Sequence, residues 1–199
     1  MRTRRAVILG LGAAVGSLAF MLGRGAWRTR DVSPTDPLLP LPVTAMDWTL
    51  TDHRGATVTP ADWIGRPVMV FFGFTFCPDV CPTTLNDISD WLGALGPDAE
   101  RLDVVLISVD PERDTPAILA DYLSNFDPRI DGLTGPLSEV QKAAAGFRAT
   151  FEKLPRKGDY TMNHTAGVFL FYADGRFASI IDFHEDRRFA IPKIRRILI

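Results

Sequence analysis

The only two cysteines of the chain, Cys77 and Cys81, lie within the stretch Phe71-Phe72-Gly73-Phe74-Thr75-Phe76-Cys77-Pro78-Asp79-Val80-Cys81-Pro82-Thr83-Thr84. A thiolate is both a nucleophile and a metal ligand, so a pair separated by three residues is suited to redox exchange or to holding a metal ion. The bland alternative in an exported domain is an inert structural disulfide. A bridge across so short a loop constrains the unfolded chain less than a long one, which makes stapling a poor reason for it.

The surrounding pattern places the pair where a thiolate is favoured. The apolar run from Val68 reads as a buried strand, and Leu85, Ile88, Leu92 and Leu95 then recur at helical spacing. Pro82 is tolerated in a first helical turn, so the helix is expected to begin just after Cys81; Thr84 and Asp87 alternatively resemble a capping box one turn later. Free N–H groups and the positive end of the helix dipole stabilise a charged sulfur there.

Three histidines are the other candidates for chemistry. His164, in Tyr160-Thr161-Met162-Asn163-His164-Thr165-Ala166-Gly167, is expected at the mouth of the hairpin strand that begins at Val168, where it is either a satisfied structural residue or a ligand. His53, in the turn Asp52-His53-Arg54-Gly55, and His184, in Phe183-His184-Glu185-Asp186-Arg187, read as solvated turn residues.

The elements that must position these residues follow an alternating order. Short strands are expected at Val43 to Leu50 and Thr57 to Thr59, forming an N-terminal hairpin. A second apolar strand, Leu102 to Val109, leads through Asp110-Pro111-Glu112-Arg113-Asp114-Thr115-Pro116 into a helix capped by Asp114 or Thr115, with Ile118, Leu119, Tyr122 and Leu123 on its buried face. That charged segment reads as a strand-to-helix turn. A third strand at Ile130 to Leu133, a helix from Ser138 to about Ala149, and a loop at Leu154 to Asp159 come next. Val168 to Tyr172 and Phe177 to Phe183 flank Asp174-Gly175 as a late β-hairpin, and a helix around Phe189, Ile194 and Leu198 ends the chain. The implied class is α/β, with parallel pairing at the centre of a mixed sheet flanked by helices.

The first 42 residues differ in composition. Ala6 to Gly23 is uncharged and apolar, long enough as a helix to reach about 27 Å, and is preceded by Arg2, Arg4 and Arg5. Residues 1–26 are therefore read as a membrane anchor or export signal, with an uncleaved anchor favoured because Leu22-Gly23-Arg24 is a poor cleavage site. The expected topology is a single span in the bacterial inner membrane with the body facing the periplasm, although Arg24, Arg28 and Arg30 nearly balance the charge on the other side. Residues 27–42 carry four prolines and read as an extended linker, leaving 43–199 as one domain. At 46% hydrophobic residues the full chain can bury a sizeable core, and its formal net charge of -2 argues against a nucleic-acid partner.

The motifs FTFCPDVCPTT, DPERDTP, GLTG and DYTMNHTAGVFLFYADGRF, in that order and at these distances, resemble the Sco/SenC family of copper-delivery proteins from about Val43 to the end of the chain. The resemblance implies a thioredoxin-like fold in which Cys77, Cys81 and His164 converge on one copper ion, with Asp79 beside the site. Two thiolates suit Cu(I), and imidazole suits either copper oxidation state. It also implies a non-enzymatic metallochaperone that serves the binuclear copper site of cytochrome c oxidase subunit II, among other copper carriers and thiol reductants on the same side of the membrane. The alternative is a thiol-disulfide oxidoreductase that uses Cys77 and Cys81 on the same subunit or another exported partner and needs no histidine. A peroxiredoxin-like peroxidase is more distant, because that chemistry activates one thiolate and not a pair. Asn163 departs from the acidic residue that many members carry before the histidine, which implies an altered charge near the ligand.

Overall fold

The computed structural model describes residues 38–199. The expected anchor and residues 27–37 of the expected linker lie outside that range. Among the described residues no helix is long and apolar enough to cross a membrane. Leu41, at the end of the expected linker, donates its N–H to the Gly146 carbonyl at 2.8 Å.

The chain opens with a 3-10 turn at Val43–Ala45 and the hairpin β1 (Leu50–Asp52) and β2 (Thr57–Val58). After a second 3-10 turn come β3 (Val68–Gly73), α1 (Val80–Leu95), β4 (Asp103–Ser108), α2 (Pro116–Leu123), β5 (Ile130–Thr134) and α3 (Leu137–Phe147). The last third holds β6 (Phe151–Arg156), β7 (Asp159–His164), β8 (Val168–Phe171), β9 (Phe177–Ile181) and α4 (Arg187–Ile197).

Seven strands form one mixed sheet in the order β2-β1-β5-β4-β3-β8-β9, while β6 and β7 pair as a separate ribbon. At its centre β3 runs parallel to β4, and β4 to β5. Parallel neighbours need crossover connections, and α1 and α2 supply them. All six residues of β3 are buried, which is why its sequence is a continuous apolar run and not an alternation. Both expected hairpins add antiparallel edges, β1 on β5 and β8 on β3. Leu85, Ile88, Leu92 and Leu95 are buried on α1 as their spacing requires, and Phe147 meets Phe72, Phe169 and Phe171 in an aromatic cluster. The arrangement is a thioredoxin-like α/β fold in which the loop after β3 emerges at the carboxyl end of the parallel strands, where open α/β sheets bind ligands.

Several local expectations are corrected. The first strand is only Leu50–Asp52, because Val43–Ala45 turns as a 3-10 segment. Helix α1 begins at Val80, one residue before Cys81, and Thr84 does not cap it: its hydroxyl donates back to the Val80 carbonyl from one turn into the helix. Thr115, and not Asp114, caps α2, and Ile118 is 40% exposed beside the buried Leu119. Phe189 is exposed on α4, whose inner face is Ala190, Ile194 and Ile197.

The largest difference is at Leu154 to Asp159, which is a β-ribbon and not a loop: Arg156 pairs with Asp159 around a Lys157-Gly158 turn in which both residues have positive φ. The two histidines read as solvated turns also have partners. His53 Nδ1 accepts the Gly132 N–H at 3.0 Å, tying the first hairpin to β5, and His184 Nδ1 lies 2.9 Å from the Asp87 carboxylate.

Candidate metal centre

Cys77 sits in the loop between β3 and α1 and is half-buried, whereas Cys81 is in the first turn of α1 and fully buried. His164 is the last residue of β7, so it reaches the site from the ribbon and not from the β8–β9 hairpin. The two sulfurs and a nitrogen of His164 all lie within 4.8 Å of one another. Both cysteines are free thiols.

Backbone geometry prepares the sulfurs unequally. The Cys81 N–H, free of a helical partner at this end of α1, points to Cys77 Sγ at 3.4 Å. Cys77 is the more readily ionised member. A hydrogen bond from the Cys81 thiol lowers its pKa well below the ordinary thiol range, against the opposing effect of burial, with help from the Asp79 and Cys81 N–H groups. Cys81 is raised, first because its thiol holds the proton of that bond and then because it is buried.

His164 is oriented as a metal-ligating imidazole would be. Its Nδ1–H donates to the Thr165 carbonyl at 3.0 Å, which leaves the Nε2 lone pair facing Cys81 Sγ at 3.5 Å. Phe71 and Phe74 pack edge-on against the ring at centroid distances of 6.1 and 5.8 Å, fixing its plane. On the other side of Cys81, a Cβ at Gly73 would lie 3.1 Å from the sulfur, so glycine is what lets α1 approach the strand end this closely. Two soft sulfurs and one imidazole, mutually close and with the nitrogen lone pair free, make a donor set fitted to a thiophilic metal.

Asp79 is placed at the N-cap of α1, exposed, with no side-chain capping bond and outside the three-donor cluster. Asn163 is exposed and paired opposite Glu152, so the alternation of the strand turns it away from the face on which His164 stands. Its lack of charge therefore bears on the site only from the far face of the ribbon.

Sequence reasoning missed the support beneath the cluster. Asp114, fully buried, accepts the Ser108 hydroxyl at 2.6 Å and both the hydroxyl and the N–H of Thr75 at 2.6 and 3.1 Å. Asp110 accepts the Tyr160 hydroxyl at 2.8 Å and pairs with Arg113. The available signal was the density of acidic residues between an apolar strand and a capped helix, which is more than a solvated turn requires.

Comparison with known proteins gives a consistent result. The SCO1/SenC family model matches residues 40–199. The bovine mitochondrial protein SCO2 homolog is 34% identical over 181 residues, covering 89% of this chain and 68% of its own. The copper-bound structure of Bradyrhizobium japonicum ScoI is 45% identical with a TM-score of 0.70, covering 75% of this chain and 96% of that one. Copper-bound yeast Sco1 is 33% identical with a TM-score of 0.71, covering 79% and 87%. On the extent of the family match and the identity of these relatives, the chain belongs to the SCO1/SenC family.

Proposed function

We propose that this chain is a copper metallochaperone that holds one copper ion through Cys77, Cys81 and His164 and passes it to another protein. The observation that carries the reading is the clustering of those three donors within 4.8 Å; among the described residues no other group of three potential ligands comes together. Copper here is cargo. Cys77 ionises the more readily of the two, and the Cys81 thiol releases its proton when the metal arrives. Three protein donors leave the ion open to an acceptor's ligands, so transfer proceeds by exchange within shared coordination and no free copper is released. The receiving site we assign is the binuclear copper site of cytochrome c oxidase subunit II, the recipient that the family resemblance implies. Anchorage by residues 6–23 at the outer face of the inner membrane would confine donor and acceptor to one surface and raise their effective concentration.

The inequality of the two thiols favours a second reading. A half-buried thiolate at Cys77 can attack a partner's disulfide, one sulfur of which leaves as a thiolate. The buried Cys81 then displaces the partner from the mixed disulfide, which reduces the partner and oxidises the pair. Incubating the copper-loaded chain with the metal-free, reduced soluble domain of subunit II, then separating the two and measuring copper in each, tests the first reading. Movement of copper to the acceptor is expected. Retention of copper, together with reduction of an oxidised acceptor by the metal-free chain, would establish the second reading instead.

A further inference from the structure

Cys77 and His164 belong to separate parts of the fold, one on the loop after the central strand and the other on a two-stranded ribbon outside the main sheet. A three-donor site holds its geometry only if something fixes these two parts to one another. We propose that the loop between β4 and α2, Asp110 to Asp114, is that fixture: a two-armed clamp whose residues position the ligands of the centre without touching the metal. The inference rests on the copper reading above.

One arm grips the cysteine loop. Asp114 takes three hydrogen bonds, and two come from Thr75, two residues before Cys77. The Asp114 N–H is itself held by the Asp110 carbonyl at 2.9 Å, and the Asp110 N–H by the Ser108 hydroxyl at 3.0 Å. A buried carboxylate with this many donors has one low-energy position, and Thr75 is fixed with it.

The second arm grips the histidine ribbon. The Tyr160 hydroxyl donates to Asp110, and the Arg113 guanidinium donates to the Tyr160 carbonyl at 3.3 Å. Tyr160 is on β7, four residues before His164, so strand alternation puts both on the same face. Lys153 on β6 adds an ion pair to Glu112 at 2.6 Å.

Arg113 joins the arms. Its guanidinium lies 3.7 Å from the Tyr160 ring centre and 4.6 Å from that of Phe76, the residue immediately before Cys77. It is thus interposed between the two ligand-bearing segments while its own charge is held by Asp110. Planar cations stack on aromatic faces in this way at a gain that rises as water is excluded.

Two near-isosteric changes release one arm each in the full chain: Tyr160→Phe removes the hydroxyl on the ribbon, and Thr75→Val removes the hydroxyl on the cysteine loop. Competitive Cu(I) titration is expected to show about tenfold weaker binding for each, the scale of one hydrogen bond to a charged group. The diagnostic is coupling to His164. Tyr160→Phe should change nothing further in a His164→Ala background, whereas Thr75→Val should keep its full effect there. In the metal-free protein, amide exchange should accelerate across Asp159–His164 for Tyr160→Phe and across residues 74–79 for Thr75→Val, with each other segment unchanged. Unaltered affinity and exchange in both variants would overturn the clamp, as would an equal loss from Tyr160→Phe with and without His164. Failure of the parent chain to bind copper would overturn the delivery reading instead, and the exchange data would still decide whether the arms position the two segments.

Discussion

The Nε2 atom of His164 lies 3.5 Å from the Sγ atom of Cys81, although 83 residues separate them in the chain. Helix α1 brings the sulfur to the end of β3, and the ribbon brings the imidazole over it. The hydrogen bond from Nδ1 to the Thr165 carbonyl makes that approach chemically useful, because it leaves the facing nitrogen free to bind.

The two thiols are expected to react in a fixed order. Cys77 is half-buried and held as a thiolate by donated hydrogen bonds, while Cys81 is buried and keeps its proton. Brief iodoacetamide treatment of the reduced, metal-free chain at pH 5 should alkylate Cys77 and spare Cys81, as read by peptide mass spectrometry. Preferential labelling of Cys81 would contradict the assigned order.

Asp114 is expected to give stability an unusual pH slope. Burial raises its pKa from 3.8 in spite of the hydrogen bonds it accepts. Between that value and its raised one, the folded state holds a proton that the unfolded chain has lost, so this group's contribution to stability falls as pH rises. Asp114→Asn removes the titration. Urea unfolding of the metal-free chain across pH 4 to 7 should show the parent losing stability relative to the variant as pH increases. Parallel curves would rule the linkage out.

Gly73 is expected to tolerate no side chain. A Cβ there would lie 2.8 Å from the Phe71 ring, 3.0 Å from Leu106 and 3.1 Å from Cys81 Sγ. Gly73→Ala should destabilise the fold by about 1–3 kcal/mol, as overpacking does. It should also weaken copper binding, because the sulfur is among the atoms that must shift. Denaturant unfolding alongside metal titration checks both, and full stability with full affinity would contradict the packing account.

The legible parts of this molecule are those where local pattern and tertiary role agree. The apolar run through β3, the helical spacing from Leu85 to Leu95 and the Asp174-Gly175 hairpin all encode burial directly, and the structure repeats them. The β6–β7 ribbon is different. Its residues are mostly exposed, and of its apolar ones only Phe151 and Met162 pack on the core, so it lacks the apolar alternation that marks a strand. Cys77 and Cys81 stand out by spacing alone, but nothing near His164 in sequence connects it to them; family resemblance does. The segment from Asp110 to Asp114 reads as a turn because its carboxylates look solvated, and only the folded chain reveals that Asp110 and Asp114 are buried with partners from distant segments.

A copper site made by Cys77, Cys81 and His164 is tested most directly by a competitive Cu(I) titration of the reduced full chain. The parent should bind one equivalent tightly, His164→Ala should bind distinctly more weakly, and Cys77→Ser/Cys81→Ser should not bind. A parent that holds copper no better than the double serine variant would contradict the account, and undiminished affinity in His164→Ala would remove the histidine from the site.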